Sequence, residues 1–403
     1  MTLRVLHLIG GGDTGGAMSH LLPLLSALER SGCDVYLACL GEGGLARQAA
    51  QRGLTVSVLP MGGPRDPRVI GPLRRLLSMG PAGMGGGEAG GGEASGGEAA
   101  AGRSRAARWD VVHTHGMRAN LPTRLVSSSL RYRPCVFTTV HSDLRLDYAS
   151  APLARAYEGL DRATVGWVDG IICVSDALKT LLIERGYPAK RLITVRSGLE
   201  AVGDHTGGKD RSGRPRIGTV ARLVAVKDVA LLLEIAGRLR RTHPEVESVV
   251  VGDGPERGRL EALAVEMGLA ETVHFTGRLD DTDPTLASLD VYLVTSVFEG
   301  GVSMSVLEAM AAGLPVVTTD AGGVAEVVVD GETGYVVSRD QERGALAAAL
   351  AERAAALLSD PGLRARMGAA GARRVRARFT VDQTAALVRR AYERCLAARG
   401  WFS

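Results

Sequence analysis

The stretch Ser296–Gly313, SVFEGGVSMSVLEAMAAG, decides how the rest of this chain is read. It has the pattern of a strand end, a loop of small residues and the start of a helix. Gly300, Gly301, Ser303 and Ser305 leave backbone N–H groups open just before that helix. The first N–H groups of a helix lack partners within it and the helix dipole is positive there, so such a terminus attracts phosphate. Glu299 and Glu308 flank the loop. A carboxylate inside a phosphate site would be repelled, so Glu308 is expected to accept hydrogen bonds from sugar hydroxyls. Phosphate and polyol side by side imply a nucleotide-sugar.

Outward from this stretch, short apolar runs alternate with helical-period segments. LRVLHLIG, DVYLACL, LTVSVLP, WDVVHTH, CVFTTVH, GIICVS and LITVRSG read as strands. A second series opens at PRIGTV and continues through ESVVVGDG, TVHFTG, VYLVTS and PVVTTD. Repeated strand–helix units argue for parallel sheets with helices on both faces, hence an α/β chain of two Rossmann-like, doubly wound domains. The Gly- and charge-rich Gly198–Pro215 is the expected linker. Met79–Arg105, a Gly/Ala/Glu tract, is expected to be a disordered insertion, because it has too little apolar surface to bury. The expected domains are 1–205, 206–380 and a terminal helix over 381–403, with Thr380 as its N-cap.

The decisive stretch resembles the donor-site motif of the large retaining glycosyltransferase family with the GT-B fold, family 4 of the sugar transferases, the glycogen-synthase-like clan. Ala312–Val337 is similar to that family's next segment. Upstream, GTVARLVAVKD supplies Arg222 and Lys227 at the family's spacing, followed in order by VVVGDGPERGRL and VHFTGRL. The step from Glu299 to Glu308 is one residue longer than the family's pattern, so Glu308 carries over more directly than Glu299. The resemblance implies two domains facing across a cleft and a C-terminal helix that returns to the first domain. It also implies a retaining, metal-independent hexosyl- or hexosaminyltransferase that moves a sugar from a nucleotide diphosphate to an acceptor hydroxyl. Cell-surface polysaccharide or glycolipid synthesis is the context it suggests. No cofactor is implied: the nucleotide-sugar is a co-substrate, and UDP donors are commonest among similar chains, GDP-mannose next.

By the same resemblance, Arg222, Lys227, Glu299 and His141 are the catalytic candidates. Gly15, Gly16, Gly252, Arg278, Gly301, Val302, Ser303, Met304, Ser305 and Glu308 are the donor-binding candidates. Two cations at a strand's C-terminal end can neutralise a departing diphosphate, and this is where the family places them. His141 ends the strand CVFTTVH, and strand C-termini line the ligand crevice of open α/β sheets. A satisfied structural histidine is the rival reading. His115, Arg118 and Asn120 are acceptor-side candidates. His113 and His115 form an H-x-H pair that could hold a metal, but no third ligand is apparent in the sequence.

Three other readings stay open. Gly10–Gly16 contains G-x-G-x-x-G between a strand and a helix, the context of a dinucleotide fingerprint, with Glu42 as a possible ribose acid. A Rossmann dehydrogenase would use that loop. A nucleotide-sugar 2-epimerase would share the fold, and the altered glutamate spacing would suit an inactive sugar-binding partner.

Composition narrows the rest. At 403 residues the chain is long enough for two or three domains. A net charge of +4 is too small to argue for nucleic acid. The start MTLRVLHLIG carries His7 in a short apolar run that passes straight into glycines, so it reads as a first strand and not as a signal peptide. No apolar run reaches membrane-spanning length. Arginines cluster at Arg65, Arg68, Arg74 and Arg75 and again at Arg118, Arg124, Arg131 and Arg133; solvated helix faces or peripheral docking on the inner membrane face both account for them. Five dispersed cysteines favour free thiols in a reducing cytoplasm.

Overall fold

The computed structural model describes residues 2–10, 16–62, 66–84, 108–147, 150–200 and 213–401. The chain divides into two compact units. The first comprises Met1–Cys173, Leu181–Val195 and Ala385–Ser403; the second comprises Val174–Thr180 and Arg196–Thr384.

The strands of the first unit are β1 (Leu3–Gly10), β2 (Cys33–Leu40), β3 (Thr55–Leu59), β4 (Val111–His115), β5 (Cys135–Val140), β6 (Gly170–Cys173) and β7 (Leu192–Thr194). They form one parallel sheet in the order β3-β2-β1-β4-β5-β6-β7. The helices between them in sequence are α1 (Gly16–Arg30), α2 (Gly44–Gln51), α3 (Ile70–Met79), α4 (Met117–Ser128), α5 (Leu144–Asp147), α6 (Ala151–Thr164) and α7 (Asp176–Glu184), the last of which belongs to the second unit up to Thr180. Successive strand residues face opposite sides of a sheet, so each side has its own core. One side buries Leu6, Leu8, Ala38, Leu40 and Val112 against Val69, Leu73, Leu76 and Val126 of the α3 and α4 region. On the other side β1 and β4 present His7, His113 and His115, and β5 presents Cys135, Phe137 and Thr139.

The second unit has β8 (Arg216–Val220), β9 (Glu247–Val251), β10 (Val273–Gly277), β11 (Val291–Val294), β12 (Val316–Thr319) and β13 (Gly334–Val337). These too are parallel, in the order β10-β9-β8-β11-β12-β13. Its helices are α8 (Val229–Leu239), α9 (Arg257–Glu266), α10 (Asp283–Ser288), α11 (Met304–Ala311), α12 (Arg343–Ser359) and α13 (Pro361–Arg378). Val291 and Leu293 pack among residues of α8 and α12, while Tyr292 and Val294 pack on the opposite side among residues of α11. β13 is the strand the sequence pattern did not announce. It is short, half-buried and at the sheet edge, so it carries no continuous apolar run.

The final helix α14 (Val381–Ala398) begins as expected: Thr380 Oγ1 accepts the Gln383 N–H, and Gln383 Oε1 accepts the Thr380 N–H, both at 3.4 Å. Its later turns cover the histidine side of the first sheet, where Tyr392 packs on Phe137 and Cys395 is bonded to Cys135. That disulfide corrects the expectation of five free thiols. Its cysteines are 260 residues apart in sequence, so spacing gave no hint of the pairing. Cys33, Cys39 and Cys173 are buried and free, and burial pushes the Cys39 thiol up to about 11.

The Gly/Ala/Glu tract also needs a correction at its start: Gly80–Met84 form a 3-10 turn, and Met84 is buried in the α3 core. Residues 85–105 of that tract lie outside the described residues, as do 106–107, 201–212 of the linker and Arg65. Among the described residues no helix is long and apolar enough to cross a membrane. Arg124 is not a surface cation: it is buried with its guanidinium on Asp161, so the second arginine cluster is smaller than the sequence suggested.

Candidate functional site

Open parallel sheets bind ligands beyond the C-terminal ends of the strands where the strand order reverses. In the second unit that point lies between β8 and β11. The loop after β8 carries Arg222 and Lys227; the loop after β11 carries Glu299 and runs into α11.

Backbone bonds fix the two loops to each other. Val297 N–H donates to Val226 O (2.8 Å) and Thr295 Oγ1 to Lys227 O (3.1 Å). Lys227 Nζ lies 2.6 Å from Glu299 Oε1, and Ser296 Oγ donates to the same oxygen at 2.6 Å. Both partners are mostly buried. Despite the extra residue in its loop, Glu299 therefore turns inward and engages the lysine. Arg222 is exposed and has no carboxylate partner among the described residues, and Arg278, after β10, is exposed as well.

Glycines supply the close approaches. A Cβ on Gly252 would collide with the Ala221 carbonyl, so this glycine lets the end of β9 press on the Arg222 loop. Gly301 packs on Val174, and Gly323 lies against Gly301. Gly323 N–H also donates to Glu299 O at 2.9 Å. The Gly322-Gly323 pair is thus a floor for the loop of the quoted stretch.

At the start of α11, Ser303 holds the N-cap position, but its hydroxyl bonds to Ser305 Oγ (3.1 Å) rather than capping the helix. The N–H groups of Met304 and Ser305 meet no acceptor among the described residues. Val302 is buried beneath them, in the core with Met304 packed against it. Glu308, one turn later, is half-buried. Burial pushes its carboxyl above the ordinary value, and the nearby Asp283 charge adds to this. A desolvated carboxylate without a cation has a strong need of hydrogen-bond donors.

Residues the sequence reading missed support this arrangement. Asp228 follows Lys227 in the left-handed region (φ 45°), and its carboxylate takes Arg343 at 3.0 Å and Arg339 at 3.3 Å. Arg339 also donates to the carbonyls of Thr295 and Ser296 at 3.0 and 3.2 Å, clamping the end of β11. An Asp after a Lys is too common a pair to have signalled this.

In the first unit the order reverses between β1 and β4. Gly16 opens α1, whereas Gly11–Gly15, most of the glycine fingerprint on which the dehydrogenase reading rests, lie outside the described residues. Arg118 folds over Gly10. Asn120 does not face an acceptor: it is buried, with its amide 3.4 Å from Asp161, and serves the packing of α4 on α6. His115 is 2% exposed, so it cannot itself line a surface.

The missing third histidine is His7, opposite His113 in the β1–β4 register. Nitrogens of His7, His113 and His115 lie within 4.8 Å of one another. The three rings are within 36° of parallel; His7 Nδ1 and His115 Nε2 are hydrogen-bonded to each other, and both nitrogens of His113 are hydrogen-bonded, to Tyr392 and to Thr139. His141, half-buried, packs against His20 and bonds to His115.

Two family models match the chain: "Glycosyl transferase 4-like domain" over residues 15–198 and "Glycosyl transferases group 1" over residues 206–374. α-Maltose-1-phosphate synthase of Mycolicibacterium smegmatis is 30% identical over 292 residues, covering 66% of this chain and 73% of the relative. Glycogen synthase of Mycobacterium tuberculosis is 29% identical over 282 residues, covering 68% of this chain; the match spans 65% of the synthase's own length. Among solved structures, Anabaena HepE in complex with UDP superposes with a TM-score of 0.75 at 19% identity, covering 97% of this chain and 100% of HepE. That likeness shows the fold, GT-B.

Proposed function

Because this chain belongs to the group 1 glycosyl transferases of family 4, with the GT-B fold, we propose that it moves a sugar from a nucleoside-diphosphate sugar to an acceptor hydroxyl, with retention at the anomeric carbon. The observation that carries the reading is the set of unsatisfied groups at the β8–β11 reversal. An exposed arginine, open N–H groups at the start of α11 and a desolvated carboxylate need partners there, beside a lysine whose partner is Glu299.

Their chemistry divides between the two halves of a nucleotide-sugar. Arg222, Lys227 and the first N–H groups of α11 offset the charge that grows on the departing diphosphate, and that stabilisation supplies most of the rate enhancement in such a transfer. Lys227 gives one phosphate a compact charge, and Arg222 can bridge two oxygens. Phosphate binding then competes with Glu299 for Lys227, and the released Glu299 becomes free to accept hydroxyls of the donor sugar. Glu308 accepts the ribose hydroxyls. The leaving phosphate takes the acceptor proton on the same face, so no second carboxylate is assigned as base. With positive charge supplied by side chains, the reading assigns no metal to the step. UDP is favoured as the nucleotide because it is the one bound by HepE, which shares the fold.

A thermal-shift screen of UDP-, GDP- and ADP-sugars, followed by turnover with sugar and lipid-linked acceptors, tests the proposal. A ligand that binds only the folded state raises Tm. Product with the donor's anomeric configuration is expected. Conversion of the donor sugar without any acceptor would favour an epimerase, and tight binding of a reduced nicotinamide would favour a dehydrogenase.

A further inference from the structure

Five of the eight histidines of this chain meet at the ends of β1, β4 and β5 in the first unit, and the diphosphate reading uses none of their chemistry. Three of them stand in file. His7 Nδ1 is 3.0 Å from His115 Nε2, and His115 Nδ1 is 3.2 Å from His141 Nε2. His113 stands outside the file, its nitrogens engaged by Tyr392 and by Thr139 Oγ1. A neutral imidazole has one N–H and one lone pair, so the tautomer of one ring in such a file fixes the next. Burial keeps the rings neutral: it pushes His7 and His141 down to about 3 and His115 well below its ordinary range.

Two directions exist for the file. In one, His7 donates from Nδ1 to His115, and His115 donates from Nδ1 to His141, which keeps its own proton on Nδ1. In the other, every proton sits on the opposite nitrogen, and His7 must bury an N–H at Nε2. His7 Nε2 is buried and meets no partner among the described residues. An N–H at Nε2 would find no acceptor among the described residues, and the first direction leaves no such donor stranded.

We propose that His7 and His115 are positioning residues that hold His141 as the neutral Nδ1–H tautomer, so that His141 meets its ligand as a hydrogen-bond donor to a hydroxyl oxygen and not as a base. The hydroxyl ligand rests on the glycosyl-transfer reading; the tautomer does not.

Long-range ¹H–¹⁵N spectra of the ¹⁵N-labelled full chain read each tautomer directly. At pH 7, His7, His115 and His141 are expected to carry their protons on Nδ1. His115→Leu removes the donor to His141 and is expected to release it to the Nε2–H form that histidine prefers in water. His115→Asn keeps a donor in the same place and is expected to restore Nδ1–H. In the transfer assay His115→Leu lowers kcat about tenfold, the worth of one hydrogen bond, with little change in donor KM, and His115→Asn recovers it. An Nε2–H His141 in the wild-type spectrum, which needs no variant to fold, overturns the proposal, as does a His141 tautomer indifferent to His115→Leu. The expected spectrum in a protein that transfers no sugar would leave the tautomer assignment standing and remove the transferase reading instead.

Discussion

The two sheets reverse their strand order at matching places, β1/β4 in the first unit and β8/β11 in the second, yet they furnish those places oppositely. The second unit sets charges there: Arg222, the Lys227–Glu299 pair and a desolvated Glu308. The first unit sets rings there that burial holds neutral, among them His7, His115 and His141. On the glycosyl-transfer reading, one scaffold serves two kinds of recognition. A diphosphate needs counter-charge, whereas a hydroxyl needs only a donor or acceptor aimed at it. The lesson is that the reversal point says where a ligand goes, and the ionisation state of its residues says what kind.

Acid is the harshest way to break the contrast. His7 and His141 are lowered to about 3, His20 to about 4, and His113 and His115 well below the ordinary 6.5. Above pH 6.5 these groups are neutral whether folded or not. Below it the unfolded chain takes up protons that the folded cluster refuses, so stability falls until the folded values are reached. Each histidine costs about 1.4 kcal/mol per pH unit in that window. Urea unfolding at pH 7 and pH 5.5 should therefore differ by several kcal/mol, with near-UV signals of the first unit lost first. A flat profile would mean that the cluster is protonated or hydrated in the native state.

On the charged side, Arg222→Ala and Lys227→Ala should each lower kcat by roughly a hundredfold, read by steady-state assay. Unchanged turnover in both would strip the β8–β11 point of its assigned role. Glu308→Ala should weaken donor binding about tenfold by calorimetry, with kcat less affected. The affinity of the unaltered protein should also fall on acidification somewhat above the ordinary glutamate range, since Glu308 is raised. The smallest effect expected is at Asp228, whose φ of 45° suits glycine better than alanine. Both substitutions lose the Arg343 and Arg339 contacts, so Asp228→Gly should be more stable than Asp228→Ala by about 1 kcal/mol.

Most strands were legible because parallel strands buried on both faces read as unbroken apolar runs. β13 escaped because it is a four-residue edge strand. Arg222, Lys227 and Glu308 could be picked out because their motif keeps them close to glycines and small residues in sequence. The histidine file was not legible, because strand register brings its members together, His7 and His115 across 108 residues and His115 and His141 across 26. For the same reason Cys135–Cys395 was missed and Asn120 was misjudged: sequence shows that a polar residue ends a strand or opens a helix, but not that Asp161 waits inside to bind it.

The central claim is that the charged reversal point of the second unit holds a diphosphate. Calorimetric titration with UDP, GDP and ADP identifies the preferred nucleotide, and its nucleoside serves as the control lacking phosphate. The account predicts that Arg222→Ala/Lys227→Ala loses at least about tenfold in affinity for the nucleoside diphosphate while binding the nucleoside as before. Equal diphosphate affinity in the double variant and the unaltered chain would contradict it.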